Sequence, residues 1–222
     1  MSSNDKNHDD MKANNVILGL ALIVTGVLTM VSCTKNDDTT IVPIGTEYYI
    51  EDIFEVVSDS AFWADFGTIH RGPIPPNIEG SYLIAPKLRI GTNVPGMPSE
   101  LLEPNADLHF THQHNGLVVM DLNESSENVT DTVYVMGSGS NFTAYCIEDK
   151  SYDMTLGNTS YHVDYRRGIV ISGKVTTEGI SDFRYATIVM SAKSQPAGAP
   201  MQDVGSYFIY KDNDNLAERL TN

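Results

Sequence analysis

Hydrophobic and polar residues alternate along the chain from about residue 75 to residue 212. In GSYLIAPKLRI (80–90), Tyr82, Ile84, Leu88 and Ile90 are the apolar positions around two charged residues. A period of two predicts half-buried strands. Similar runs are LHFTHQH, GLVVMDL, TVYVMG, NFTAYCIE, SYHVDY, RGIVISGKVTT, RYATIVMSA and GSYFIYKD. About eight strands with close turn signals predict an all-β domain over 75–222, either an antiparallel barrel or a sandwich. We expect the acidic tail to add one helical turn.

The segment LHFTHQHNGLVVMDL (108–122) predicts a hairpin whose loop length is set by the apolar pattern. A two-residue Asn115-Gly116 turn would place Phe110 opposite Asp121. A three-residue loop, His114-Asn115-Gly116, keeps one face apolar and puts the glycine at the left-handed position. The pairs predicted by this loop are His112 with Val118, Phe110 with Met120, and Leu108 with Leu122. A second hairpin is expected around residues 137–141.

Residues 46–74 precede the strands as an extension that packs on the domain or leads to it. Apolar residues at positions 49, 50, 53, 54 and 57 fit a helix, with Thr46 as its N-cap, whereas positions 48, 50, 54 and 56 fit a strand. Both interpretations stay open. The stretch TIHRGPIPPNIEG (68–80) is a turn-rich connector, because its prolines prevent regular strand pairing.

The chain begins with a polar tract and a short apolar run. Residues 16–31 are largely apolar. This run is shorter than the roughly 20 residues that a spanning helix needs, and its length matches the core of a signal peptide. The aspartates at 5, 9 and 10 are unusual in front of such a core. A start at Met11 would leave a compact leader with the positive charge of Lys12. We therefore predict a signal-peptide helix within residues 1–32.

The segment Met30-Val31-Ser32-Cys33 resembles the lipobox of bacterial lipoproteins. This resemblance implies cleavage beside the small Ser32, a diacylglyceryl thioether on the Cys33 thiol, and a fatty acid such as palmitate on the freed amine. Two or three acyl chains anchor a protein stably. The following TKNDDTT resembles the tag of Bacteroidota-type lipoproteins that reach the cell surface. Residues 33–45 then form a lipidated flexible linker, and Cys33 is the predicted link to the outer membrane.

The body of the chain resembles a group of Bacteroidota-type surface lipoproteins of uncharacterised function. The resemblance lies in PPNIEGSYLIAPKL (75–88), GSGSNFTAYC (137–146), GIVISGKVTTEGISDFRYATIVM (168–190) and YFIYKDNDNLAE (207–218). It implies a calycin-like barrel on a lipid anchor. It supplies no catalytic residue, cofactor or metal ligand.

Charge and cysteine content narrow the function classes. With 14 basic and 29 acidic residues the net charge is −15, which argues against a nucleic-acid partner because phosphates require basic patches. If Cys33 is acylated, Cys146 is the one remaining thiol and no intramolecular disulfide can form. Its apolar neighbours in a strand predict a buried, unreactive thiol.

Four motifs were weighed as sites and interpreted as structural. The histidines at 109, 112 and 114 do not converge on one face of a strand as zinc requires. DNDN (212–215) starts like a calcium loop but has Ala217 where a glycine is needed, so we predict a turn with solvated carboxylates. Gly137-Ser138-Gly139-Ser140 lacks the pattern of a nucleophile elbow and predicts a hairpin turn. The sequons at Asn123, Asn128, Asn141 and Asn158 are incidental in a bacterial lipoprotein.

The predicted function is a non-catalytic binding module on the cell surface, for an extracellular glycan, peptide or lipid. Flat side chains of the kind that line such sites are Trp63, Tyr82, Tyr161 and Tyr165, although most are expected in the core. The alternatives are an assembly lipoprotein without a small ligand and, less favoured, a surface hydrolase with paired carboxylates. No oligomeric state is assigned.

Overall fold

The structure is a computed structural model that describes residues 46–125, 127–156, 159–194 and 203–221. Within these residues two helices precede eleven strands, all of which belong to one antiparallel sheet. The helices are α1 (Thr46–Glu55) and α2 (Ser60–Phe66). The strands are β1 (Gly80–Ile84), β2 (Lys87–Thr92), β3 (Leu101–Glu103), β4 (Ala106–His114), β5 (Leu117–Asn123), β6 (Asn128–Ser138), β7 (Asn141–Leu156), β8 (Thr159–Val175), β9 (Gly179–Ser194), β10 (Tyr207–Asp212) and β11 (Leu216–Arg219).

Eight of the strands form a closed ring in the order β1-β4-β5-β6-β7-β8-β9-β11. Strand β11 completes it, because Arg219 pairs with Tyr82 of β1 while Ala217 pairs with Ile180 of β9. Strands β10, β2 and β3 branch from β9 and extend the sheet beside the ring. The prediction of an antiparallel β fold is confirmed in its coarse form: the described residues are mostly β, with two helices and with eleven strands instead of about eight.

Alternate residues of every ring strand point into an apolar core. On β7 these are Phe142, Ala144 and Cys146, and on β8 they are Ile169 and Ile171, all almost fully buried. This alternation is the pattern expected of a sheet with one face turned to the interior. The core therefore fills the part of the ring that these residues line.

A second apolar cluster lies on the outer face of the sheet, under the two helices. Ile50, Ile53, Phe62 and Phe66 pack there against residues of β6–β10 such as Val170. The open question about residues 46–63 is therefore resolved in favour of helix, because this face has an apolar strip to cover. α2 starts at the N-cap Asp59, whose carboxylate accepts a hydrogen bond from Ala61 N at 2.8 Å, and ends at Gly67 with φ 85°.

Contact between α1 and the sheet depends on a glycine in β8. A Cβ at Gly168 would lie 2.9 Å from Cγ1 of Ile53, closer than real side chains approach. The helix therefore sits against bare backbone at this point.

The hairpin between β4 and β5 has the predicted register near its base and a different loop. The observed pairs are Leu108 with Leu122, Phe110 with Met120, Thr111 with Val119, and His114 with Leu117. The first two confirm the predicted apolar face. The predicted three-residue loop and the pairing of His112 with Val118 are wrong.

A bulge at residues 112–113 explains the difference. The register shifts between Thr111 and His114, and His112 adopts φ 57°. This bulge lets a two-residue turn follow without moving apolar side chains to the wrong face. Asn115 and Gly116, with φ 51° and 74°, have the positive values that a type I′ turn requires.

Other strand predictions need smaller corrections. SYHVDY and RGIVISGKVTT lie in one continuous strand, β8, and the edge strand β3 was not predicted. The expected helical turn of the acidic tail is wrong, since Leu216–Arg219 is a strand that pairs on both sides. The hairpin around residues 137–141 is confirmed, with Ser138 paired with Asn141.

The predicted signal peptide, Cys33 and the linker lie outside the described residues, as does the alternative start at Met11. In the part of the chain that is described, no helix has the length and hydropathy needed to span a bilayer.

Candidate functional site

The inward-facing residues change from apolar to polar toward one end of the ring. Along β7 the series continues from Cys146 to Glu148 and Lys150, and along β8 it continues from Ile169 to Arg167 and Tyr165. The change occurs at one level on both strands, because Glu148 pairs with Arg167 and Lys150 with Tyr165. This level marks the polar end of the ring.

Four charged side chains at this end form the Arg167 cluster: Arg167, Lys150, Glu127 and Glu148. Arg167 Nη1 and Nη2 donate to both oxygens of Glu127 at 3.0 and 2.7 Å, and its Nε donates to Glu148 Oε1 at 2.6 Å. Lys150 Nζ lies 3.1 Å from Glu148 Oε2 and also contacts Glu127. Only 9% of Arg167 is exposed. A guanidinium so buried requires such bidentate pairing.

A second set of charges, the Lys87 cluster, consists of Lys87, Arg89, Glu103 and Glu124. Lys87 Nζ lies 2.8 Å from Glu124 Oε1 and 3.2 Å from Glu103 Oε2. Arg89 donates from Nε to Glu103 Oε1 at 2.9 Å and from Nη1 to the Pro98 carbonyl at 3.1 Å. Each cluster contains two bases and two acids, so neither carries a formal net charge, although the chain as a whole is strongly acidic.

Aromatic rings lie against the Lys87 cluster. Lys87 Nζ is 4.4 Å from the ring centroid of Tyr210, and the Arg89 guanidinium carbon is 5.3 Å from that of Phe208. Both distances fit cation–π contacts. The rings of Tyr185 and Tyr210 stack with centroids 5.5 Å apart, which continues the aromatic surface from β10 to β9.

A cavity of about 250 Å³ lies where the two clusters meet. Arg89 and Glu124 of one cluster and Glu127 and Arg167 of the other line it. Its aromatic lining residues are Tyr152, Tyr165, Tyr185, Phe208 and Tyr210. A concave site with aromatic walls and a few convergent polar groups is the common form of a small-molecule site.

The surroundings fix the protonation of these groups. Burial alone would raise the pKa of Glu127, but hydrogen bonds from Arg167 and Lys150 more than offset it, so its pKa lies below the usual value. Burial raises the pKa of Tyr165 and Tyr210, and raises that of Tyr185 further. The cavity therefore offers the ionised carboxylate of Glu127 as an acceptor and protonated phenols as donors. The general acid of a glycosidase needs a raised pKa, whereas the pKa of Glu127 is lowered.

The three histidines considered as zinc ligands have different surroundings. His109 Nδ1 is 2.9 Å from Ser81 Oγ, and His114 Nε2 is 2.7 Å from Asn115 Nδ2, while His112 occupies the bulge. Among the described residues, no three His, Cys, Asp or Glu side chains are arranged to hold a metal ion.

Asp212 differs from the prediction of a solvated carboxylate. DNDN does form a turn, with Asn215 N donating to the Asp212 carbonyl at 3.1 Å. The Asp212 side chain is only 1% exposed and accepts hydrogen bonds from Ala85 N at 2.7 Å and Asp214 N at 3.1 Å. Burial raises its pKa to about 6. This carboxylate therefore joins the β10–β11 turn to the β1–β2 turn.

Cys146 is buried in the ring, and burial raises the pKa of its thiol. Its position agrees with the prediction of an unreactive thiol. It lies one step below the polar end, two residues before Glu148 on the same face of β7.

The aromatic residues singled out from the sequence have different places. Tyr82 is fully buried, with its hydroxyl donating to the Ile78 carbonyl at 2.9 Å. Trp63 is 36% exposed on α2 and packs edge-on against Phe54. Tyr165 is the one of the four that lines the cavity, and the side chain of Tyr161 lies outside the description.

An exposed group on the β7–β8 hairpin has distances like those of a serine hydrolase. Ser151 Oγ lies 3.1 Å from His162 Nε2, and His162 Nδ1 lies 2.8 Å from Asp153 Oδ1. However, Asp164 Oδ1 is 3.3 Å from the same Nε2. The hydrogen bond to Asp153 and the charge of Asp164 raise the pKa of His162, which favours the imidazolium over the neutral base that such catalysis needs. We interpret this group as a surface ion pair.

The residues of the two clusters were not identified from the sequence. Arg167 and Glu127 are 40 positions apart, and Lys87 and Glu124 are 37 apart, so no short motif contains them. The available signal was the change to charged residues within an otherwise apolar inward series. No protein-family model, no curated protein and no solved structure matches this chain.

Proposed function

We propose that this protein is an outer-membrane, surface-exposed lipoprotein whose folded domain is a non-catalytic binding module. In this proposal the eight-stranded ring is a calycin-like barrel, and the ligand binds in the cavity at its polar end. The observation that carries the proposal is this cavity, in which aromatic rings and two charge-balanced clusters converge. Its volume is below that of a typical drug-sized pocket, so it suits one end of a ligand.

The chemistry of the polar end favours binding over a purely structural role. Burying an ion pair is often no more stabilising than filling the space with apolar side chains. Eight charged side chains in two clusters, four of them lining the cavity, are therefore difficult to explain by stability alone. A hydrolase is less favoured, because the pKa of Glu127 is lowered and Arg167 holds both Glu127 and Glu148.

The anchor part of the proposal is supported by the sequence around Cys33. We expect the Cys33→Ser variant to leave the membrane fraction, because no thiol would remain in the lipobox to take the diacylglyceryl group. Fractionation of expressing cells, with Cys146→Ser as the matched control, measures this. A Cys33→Ser variant that stays in the outer membrane like the control would contradict the lipid anchor.

The binding part is tested with the purified full-length chain in detergent micelles. Neutral oligosaccharides, short peptides and glycerophosphocholine, the soluble headgroup of a phospholipid, are screened by ligand-observed NMR. We expect one class to bind, and Tyr165→Ala to weaken that binding while Trp63→Ala leaves it unchanged, since Trp63 lies on α2 and does not line the cavity. Absence of binding in all three classes would refute the binding module.

A further inference from the structure

We propose that the cavity binds one ring of an uncharged saccharide. This inference rests on the proposed function and narrows its ligand class from glycan, peptide or lipid to neutral sugar. It combines the charge balance of the lining, the aromatic walls, and the size and depth of the cavity.

Charge balance argues against a charged ligand. Every charged lining residue, Arg89, Glu124, Glu127 and Arg167, already has an oppositely charged partner within the two clusters. An anion at either arginine would lie beside the carboxylate that the arginine already binds and be repelled by it, and displacing that carboxylate would leave it with a lysine as its remaining partner. Breaking a buried pair in this way is strongly unfavourable. A cation at one of the glutamates would in the same way be repelled by the arginine or lysine that the glutamate already binds.

The same residues suit hydroxyl groups, which both donate and accept. The three hydrogen bonds of Arg89 use three of its five N–H groups, and each carboxylate oxygen has two lone pairs. Protonated Tyr165 and Tyr210 add further donors and acceptors at the wall. A hydroxyl can therefore bind without breaking an existing ion pair.

The aromatic walls suit the apolar C–H face of a sugar ring. Tyr165 and Phe208 are half-buried and Tyr152 is 39% exposed, so their rings are available from the cavity. A pyranose presents an apolar C–H face with hydroxyls around its edge. It can stack on a ring while its edge reaches the two clusters.

The depth of the cavity argues against an acyl chain. Tyr185 lines the cavity and also belongs to the apolar core of the ring, where it is 2% exposed. The cavity floor is therefore the packed core. A volume of about 250 Å³ accommodates a substituted six-membered ring better than an extended chain.

The test uses sugars that share one ring and differ in charge. Methyl glycosides of glucose, galactose, mannose and N-acetylglucosamine are titrated into the full-length chain in micelles, beside glucuronate and glucosamine, with protein NMR shifts as readout. We expect at least one neutral glycoside to bind at least tenfold more tightly than either charged sugar. Its affinity should be the same at 50 and 500 mM NaCl, because no charge is exchanged.

Variants connect the binding to the cavity. We expect Tyr165→Ala to weaken neutral-sugar binding at least tenfold, Tyr165→Phe to weaken it less, and Trp63→Ala to leave it unchanged. Equal binding by Tyr165→Ala and the parent chain would overturn the assignment to this cavity. Tighter, salt-sensitive binding of glucuronate, or binding of peptides or glycerophosphocholine alone, would overturn the neutral sugar while leaving the binding module intact. No binding of any probe would overturn both.

Discussion

Replacing Arg167 with methionine removes the cation that Glu127 and Glu148 share, while keeping a similar side-chain length. Both carboxylates would then lie at the polar end of the ring with Lys150 as their remaining cation within the cluster. The stability of the folded chain should fall, because these acids have been taken out of bulk water without full compensation.

The size of the loss follows from burial. Removing one partner of a buried pair costs about 3–5 kcal/mol, and the lower end applies here since the Glu127 side chain is 32% exposed. We expect a decrease of about 3 kcal/mol in the free energy of unfolding at pH 7. For a domain of this size that corresponds to roughly 6–12 °C in melting temperature.

The neighbouring residue provides a matched control. Arg166 points to the opposite face of β8, where its Nε lies 3.0 Å from Asp149 Oδ1 and the two side chains are 48% and 61% exposed. Such surface pairs contribute about 0–1 kcal/mol. Urea unfolding followed by circular dichroism should therefore show a small loss for Arg166→Met and a large one for Arg167→Met.

The loss should also depend on pH. The folded-state pKa of Glu127 is lowered, so its contribution to stability is present above the unfolded value of about 4.3 and disappears as the pH falls through the folded value. The difference between parent and Arg167→Met should accordingly narrow between pH 5 and pH 3. Equal losses for the two arginine variants, or a difference that stays constant over this range, would refute the reasoning.

Three further predictions concern other features. Burial raises the pKa of Asp212 to about 6, so its contribution to stability should fall as the pH rises from 4 to 6.5, and the difference in urea midpoint between the parent chain and Asp212→Asn should fall over the same range. Gly168→Ala should lose about 1–3 kcal/mol by its clash with Ile53, and a double-mutant cycle with Ile53→Ala in thermal melts should be non-additive. His112→Gly should gain up to about 1 kcal/mol at the left-handed bulge and His112→Val should lose stability, both read by calorimetry, and the reverse order would contradict the bulge.

The hairpin at residues 108–122 shows how far the sequence pattern reaches. The apolar alternation correctly placed Phe110 opposite Met120, because a register slip would expose the core face. Asn-Gly is also the preferred pair for a two-residue type I′ turn, and the sequence prediction gave this preference too little weight. The two rules conflict only if the strand is regular, and the bulge at His112 satisfies both.

The charged clusters at the polar end of the ring could not be predicted from local sequence patterns, for a different reason. Its charges come from β2, β3, β7, β8 and the β5–β6 turn, and they meet only when the ring has closed and the β10-β2-β3 branch lies beside it. Single residues such as Glu148 looked like ordinary polar positions of a strand. The buried Asp212 was missed in the same way, since its partner Ala85 N lies 127 residues earlier in the chain.

Strand β11 has a consequence for the order of folding. Its Arg219 donates to the Tyr82 hydroxyl at 2.8 Å across 137 residues of chain, and the strand lies between β1 and β9. Contacts so distant in sequence form late and slow the search for the native state. Until residues 216–219 dock, β1 and the first residues of β9 (179–181) each present an unpaired edge, which is the arrangement that invites pairing with other chains. Docking of these four residues therefore covers the open edges of β1 and β9 and closes the ring, while β3 stays an edge strand of the sheet.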